Sequence, residues 1–277
     1  MDIFIFDNTL DGLLSAVFDS YALHLTDVQL LTEGEQLPLF AGEPHRVVTT
    51  DEKASRVWQG LEKHISKAGL QVITLSWLSE KRALNQPLFD YICKVFRTPP
   101  LTPPLKREGN ARGTSLRISS IEHNASDPDV LFVRNTCRRV LHESQRMKQF
   151  IRFQKAKDGT YLAVVSPDHN VLSLIIDHFQ DRFNDQPWLI YDSRRHYGYY
   201  YDGHDEPIHI TFEDERAVPF NLSDGKLNDD VLSADDQLFQ DLWRTYFKAI
   251  CIRERMNPRK QLKDMPRRYW KYMTEKQ

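Results

Sequence analysis

Cysteine is scarce in this sequence: Cys93, Cys137 and Cys251 are the only three in 277 residues, and they lie far apart. An odd count without paired spacing excludes a disulfide framework, and no cluster could hold an all-thiolate iron–sulfur centre within this chain alone. The reading is of reduced, mostly buried thiols in a cytoplasmic protein. No apolar run reaches the roughly 18–20 residues of a membrane span. The opening Met1-Asp2-Ile3-Phe4 carries acid where an export signal carries base, so neither a membrane partner nor secretion is expected. Missing too are a Gly-rich phosphate loop, an H-E-x-x-H pair and a G-x-S-x-G elbow. No self-sufficient catalytic motif is present, and no cofactor is expected. His204, Asp205 and His209 fall in a polar turn of a commonplace kind, and no metal is expected there.

What is present is an ordinary globular balance, with 27% charged and 11% aromatic residues, which argues against a disordered chain. Ile3 to Phe6 is a short β-prone run, followed by a helix capped by Asp7 or Thr9. The segment Ile5 to Leu10 has the outline of a phosphatase motif, but Ile5 stands at the nucleophile position and cannot form an aspartyl-phosphate. Asp7 is therefore read as a helix cap. Further helices are expected over about 51–68, ended by Gly69, and over about 72–96, with Pro87 splitting or restarting the second. The stretch 99–126 holds Pro99-Pro100, Pro103-Pro104, Gly109 and Gly113 and reads as a flexible linker or insertion. The expected organisation is a mainly helical region 1–98, this linker, and an α+β region 127–277 with a basic tail.

In that last region Asp127-Pro128 opens a helix to about Met147. Phe150–Phe153 and Tyr161–Val165 form a hairpin across Lys157-Asp158-Gly159. A helix over 171–183 follows, with Leu172, Ile175, Ile176 and Phe179 facing inward. Trp188–Tyr191 and Tyr197–Tyr201 form a second hairpin, and Ile208 to Phe212 adds a strand. The fold class expected is α+β, with an antiparallel ββαββ sheet and helices packed on it. A long helix over about 235–256 leads to the tail.

The net charge of −2 hides blocks of opposite sign. Leu131 to Lys157 has eight bases and a single acid, Glu143; Asp202 to Asp241 has twelve acids and two bases; Arg244 to Tyr272 has ten bases and two acids. A surface field follows local charge rather than the total. In the tail, Arg255, Arg259, Lys260, Arg267, Arg268 and Lys271 are interleaved with Tyr269 and Trp270. Arginine forks suit phosphate oxygens, and aromatic faces suit unpaired bases. Packing of the three tail aromatics on the core is the competing explanation. Pro258 is expected to end the preceding helix and Pro266 to start a short one. In the second hairpin, Arg194, Arg195, His196 and Tyr197 could join the same surface. Alternate tyrosines there equally fill a sheet face, Tyr197, Tyr199 and Tyr201 on one side and Tyr200 on the other.

Four blocks carry a family resemblance: Phe150–Phe153, Asp181–Asp192, Arg194–Tyr201 and Met265–Met273, with Phe6–Phe18 fitting as well. They resemble a bacterial domain-of-unknown-function family whose members are labelled probable DNA metabolism proteins. Its members occur alone or joined to a uracil-DNA-glycosylase-like domain, and their genes accompany a radical-SAM protein thought to act on DNA. The charge layout and the lack of a self-sufficient catalytic motif, taken with this association, lead to the expectation of a DNA-binding accessory protein, on single strands among other forms, whose chemistry comes from a radical-SAM or glycosylase-like partner. No glycosylase-like domain is expected in this chain, and the family supplies no catalytic residues to carry over. Two alternatives stay open: a nucleic-acid-processing enzyme with its site around Asp192 and His196, and a protein–protein adaptor that uses the acidic block.

Overall fold

A computed structural model describes residues 2–38, 42–98, 121–212, 220–221, 226–228, 230–250 and 257–276. Most of the stretch read as a linker, 99–120, lies outside the described residues, as do Arg255 and Cys251. The chain divides into two compact units, Met1–Val140 and Leu141–Gln277.

In the first unit, β1 (Asp2–Phe6), β2 (Val28–Thr32) and β3 (His45–Arg46) form a parallel sheet in the order β2-β1-β3. An N-terminal region read as mainly helical thus carries a parallel sheet as well. Of its strands only β1 is expected from the sequence, as the run Ile3 to Phe6; β2 is not, nor is β3, which has only two residues. Helices α1 (Leu10–Ala22), α2 (Asp51–His64), α3 (Lys67–Trp77) and α4 (Asn85–Arg97) accompany it. They share a core that includes Phe4, Phe6, Leu13, Val17, Leu61, Ile73, Leu88 and Ile92.

Caps explain the helix boundaries. Thr9, not Asp7, caps α1: its Oγ1 accepts the Gly12 N–H at 2.9 Å. Asp7 instead accepts the N–H and hydroxyl of Thr9 at 3.0 and 2.7 Å, and the Thr49 hydroxyl at 2.9 Å. Burial alone would raise the Asp7 pKa, but these hydrogen bonds outweigh it and hold the carboxyl below its ordinary value. A Cβ at position 12 would collide with that carboxylate, so the glycine is needed for close approach. Gly69 does not end a helix. It sits in the first turn of α3, where its N–H donates to the Ser66 cap at 3.1 Å. Pro87 lies in the first turn of α4, where its missing N–H costs nothing, and the helix restarts there.

The helix α5 (Pro128–Phe150) carries the division between units. Asp127 accepts the N–H groups of Asp129 and Val130 at 2.9 and 3.2 Å. In the second unit the strands are β4 (Gln154–Lys155), β5 (Tyr161–Val165), β6 (Trp188–Asp192), β7 (Tyr197–Tyr201) and β8 (Ile208–Thr211). They lie in chain order, with β5 and β6 parallel and the other pairs antiparallel. The sheet is mixed, not antiparallel throughout. The reason is α6 (Ile176–Arg182): a helix between two neighbouring strands returns the chain to the starting end, so the second strand runs parallel to the first. The run Phe150–Phe153 is not a strand. Phe150 closes α5, its ring 5.4 Å from that of Tyr269, and the strand begins only at Gln154.

One sheet face packs Leu162, Val164, Leu189 and Tyr191 with Phe220 and Leu227, and Tyr200 joins this side. Across the sheet, Trp188 is fully buried beside Tyr201 and Phe179, with ring centroids at 5.4 and 6.5 Å. At Gly198 a Cβ would sit 2.5 Å from the Ile190 carbonyl oxygen, so this tyrosine-rich strand needs its one glycine. Helices α7 (Ala234–Ile250) and α8 (Pro258–Asp264) follow, then short 3-10 turns at Arg267–Tyr272 and Thr274–Lys276. Pro258 opens α8 at its first position, behind the Asn257 cap. Among the described residues no helix is long and apolar enough to cross a membrane. Cys93 and Cys137 are free and buried, and burial pushes the Cys93 thiol up to about 11, which keeps it unreactive at neutral pH.

Candidate nucleic-acid interface

The hairpin turn between β6 and β7 is organised by Asp192, which is fully buried. One carboxylate oxygen accepts the Arg194 N–H at 2.9 Å and the other takes the Arg195 guanidinium at 2.7 Å. Burial raises the Asp192 pKa, and the hydrogen bonds and charge from Arg195 and Arg194 oppose that rise without cancelling it. The turn closes at His196, an exposed residue in the left-handed region with φ 58°. Histidine tolerates that region better than a β-branched residue would.

Arg195 also reaches out of the turn. Its guanidinium donates to the Pro167 carbonyl at 3.1 Å and the Asp168 carbonyl at 3.3 Å. Arg194, with 56% of its side chain exposed, lies 3.8 Å from the Asp168 carboxylate. The Tyr197 hydroxyl bonds Asn170, and its ring stacks on His209 at 5.1 Å. The loop 167–170 therefore meets the hairpin from several sides.

The tail meets the same loop. Arg268 pairs with the Asp168 carboxylate and, at 2.8 Å, with buried Glu143 of α5. Glu143 further accepts the Tyr269 hydroxyl at 2.9 Å and the Asp168 N–H at 3.1 Å. Burial raises the pKa of Tyr269, so its phenol stays protonated and donates. Hairpin and tail are thus brought to one place, by a loop and a helix residue that sequence reasoning did not assign to the site. A signal for Glu143 existed: it is the single acid among the eight bases from Leu131 to Lys157.

The sequence-derived residues separate into two sets. Arg195, Arg268 and Tyr269 are engaged by carboxylates inside the unit. Arg259, Lys260 and Arg267 are exposed and make no ion pair among the described residues, and the same holds for Lys263, which the sequence reading did not single out. Trp270 is half-buried: its Nε1 donates to the Met265 carbonyl at 3.1 Å, and the cations of Arg267 and Lys276 lie 5.8 and 5.1 Å from its ring. Lys271 is exposed. Tyr269 and Met273 are buried, so packing of the tail and an outward basic edge hold together.

A model for a domain of unknown function, DUF4130, matches residues 114–275. The chain belongs to the DUF4130 family. No curated protein and no solved structure matches it. The DUF4130 match takes in all five strands of the second sheet and the complete cluster of Glu143, Asp168, Asp192, Arg195, Arg268 and Tyr269.

The end of the tail is fastened separately. Glu275, whose side chain is only 2% exposed, takes Arg152 at 2.7 Å and the Trp243 Nε1–H at 3.1 Å. Burial would raise the Glu275 pKa, but the hydrogen bonds and the Arg152 charge outweigh it and lower it below the ordinary 4.5. A depressed folded-state pKa means that the stabilisation is complete above 4.5 and is lost as pH falls through the lower folded value. Urea midpoints measured down that acid range should fall less steeply for Glu275→Gln than for the native protein.

Proposed function

We propose that this protein is a nucleic-acid-binding accessory protein of DNA repair or modification, working in the cytoplasm beside a radical-SAM or glycosylase-like partner that supplies the chemistry. The observation that carries the binding part is the exposed set Arg259, Lys260, Lys263 and Arg267, without ion pairs among the described residues, with Arg267 5.8 Å from the indole ring of Trp270. Cations without carboxylate partners are available to phosphate oxygens; Arg194 of the hairpin is exposed but lies 3.8 Å from the Asp168 carboxylate, so it stands outside this set. The choice of DNA, and of these partners, rests on the family resemblance alone.

An enzyme built around Asp192 and His196 is less well supported. Both oxygens of Asp192 are engaged inside the fold, which leaves it poorly placed to accept a substrate proton. Much of the acidic block that an adaptor would use, 213–219, 222–225 and 229, lies outside the described residues. Fluorescence anisotropy with labelled single- and double-stranded DNA tests the proposal. Binding should weaken steeply with salt, with a log–log slope of about −0.7 per phosphate neutralised on single strands and about −0.9 on duplex. Absence of binding at low salt overturns it.

A further inference from the structure

A cavity of about 560 Å³ opens in the second unit between the end of α5, the segment 151–153, α6 and α7. Its size falls within the range of small-ligand sites. The walls are aromatic. Phe153 and Phe183 meet edge to face at 5.4 Å on one side. On the other, α7 presents Phe239 and Trp243, which remain 62% and 41% exposed. Large aromatic rings left open on a concave surface mark a binding site.

The charges at the cavity point to an anion. The one carboxylate in its lining, Asp236, accepts the Lys155 N–H at 2.8 Å, and the lining residues Arg152 and Trp243 are taken by Glu275, outside the lining. Lys148 and Arg182 line the mouth and make no ion pair among the described residues, and Arg182 lies over the Phe183 ring at 5.7 Å. Flat apolar walls beside unneutralised cations suit a ligand with an aromatic ring and a negative group. An apolar protein segment would use the rings but would leave both cations unmatched. Thr274, at the end of the basic tail, is also part of the lining.

We infer that this cavity binds a nucleotide, stacking the base on Phe239 and Trp243 and taking the phosphate on Arg182 and Lys148. The nucleotide is either free or an unpaired member of a strand; the second case rests on the nucleic-acid reading proposed above, the first does not. The test titrates the full chain with the four deoxynucleoside 5′-monophosphates, with an oligodeoxythymidylate, and with an abasic strand of equal length. Loss of one stacked base should weaken the abasic strand by roughly tenfold or more. Phe239→Ala and Arg182→Ala, both at exposed positions, should abolish that difference or the monophosphate binding with an unchanged urea midpoint. Monophosphate binding that Phe239→Ala removes, with no strand binding at all, supports the cavity and rejects the nucleic-acid reading. Equal binding of the two strands with no monophosphate binding overturns the cavity inference, leaves the tail's salt-dependent binding intact, and assigns the α7 face to a protein partner.

Discussion

Tyr269→Ala is expected to destabilise the second unit by about 3–5 kcal/mol, the usual cost of emptying a large aromatic site. The ring is 3% exposed and packs on Phe150, and its hydroxyl donates to buried Glu143. Tyr269→Phe separates the two contributions. It keeps the ring and removes only the hydrogen bond, so about 1–3 kcal/mol should be lost. Urea unfolding of both variants checks the order. Equal stability of Tyr269→Ala and the native protein would mean that the tail does not pack as described.

The second large effect belongs to Arg195→Ala, at about 3–5 kcal/mol, because the substitution leaves Asp192 as an uncompensated buried charge. The pair is well shielded, with side-chain exposures of 11% for Arg195 and 0% for Asp192. The same change releases the bonds from Arg195 to Pro167 and Asp168, and with them the tie between turn and loop. Burial already raises the Asp192 pKa, and removing the guanidinium that opposes the rise pushes it further up. A raised folded-state pKa makes ionisation costly, so the variant's deficit should grow as pH rises from the ordinary value of 3.8 through the folded value, and shrink in acid. Adding Asp192→Asn to Arg195→Ala should restore much of the loss, since no buried charge then remains. Stability curves against pH for the single and double variants measure both effects.

Local chemistry made α5 and much of the second unit legible in the sequence. Asp127-Pro128 announced α5, and the run from Trp188 to Tyr201 announced its hairpin through two β-prone segments around a polar turn. The parallel pairing of β5 and β6 was legible too, had the intervening helix been given its topological weight. In the first unit, β3 has two residues and exists only because β1 offers it a partner, a tertiary fact without a local signal. Gly69 shows the opposite difficulty: a strong helix-ending residue lies in a first turn, where Ser66 supplies the cap and the Glu122 carboxylate crowds the place of a Cβ.

The candidate site was half legible. Composition marked the tail and the hairpin, and nothing in it separated Arg267 from Arg268. That difference is made by Glu143, 125 residues earlier in the chain, and by Asp168. A carboxylate so distant in sequence engages one of two adjacent exposed arginines and leaves the other without an ion pair among the described residues. The aromatic walls on α6 and α7 were invisible for a similar reason. Phe183, just past α6, and Trp243 of α7 carry no local mark of a site; only the fold sets them at one cavity.

The central claim is that the outward cations of the tail bind nucleic acid while the inward ones hold the fold. The most direct measurement is the salt dependence of single-stranded DNA binding for the native chain and for a variant with Arg259, Lys260, Lys263 and Arg267 all changed to alanine. The account predicts an unchanged urea midpoint, because these side chains make no ion pairs among the described residues. It also predicts a salt slope shallower by about 0.7 for each phosphate that the variant no longer neutralises. Native affinity and an unaltered slope in the variant would contradict it.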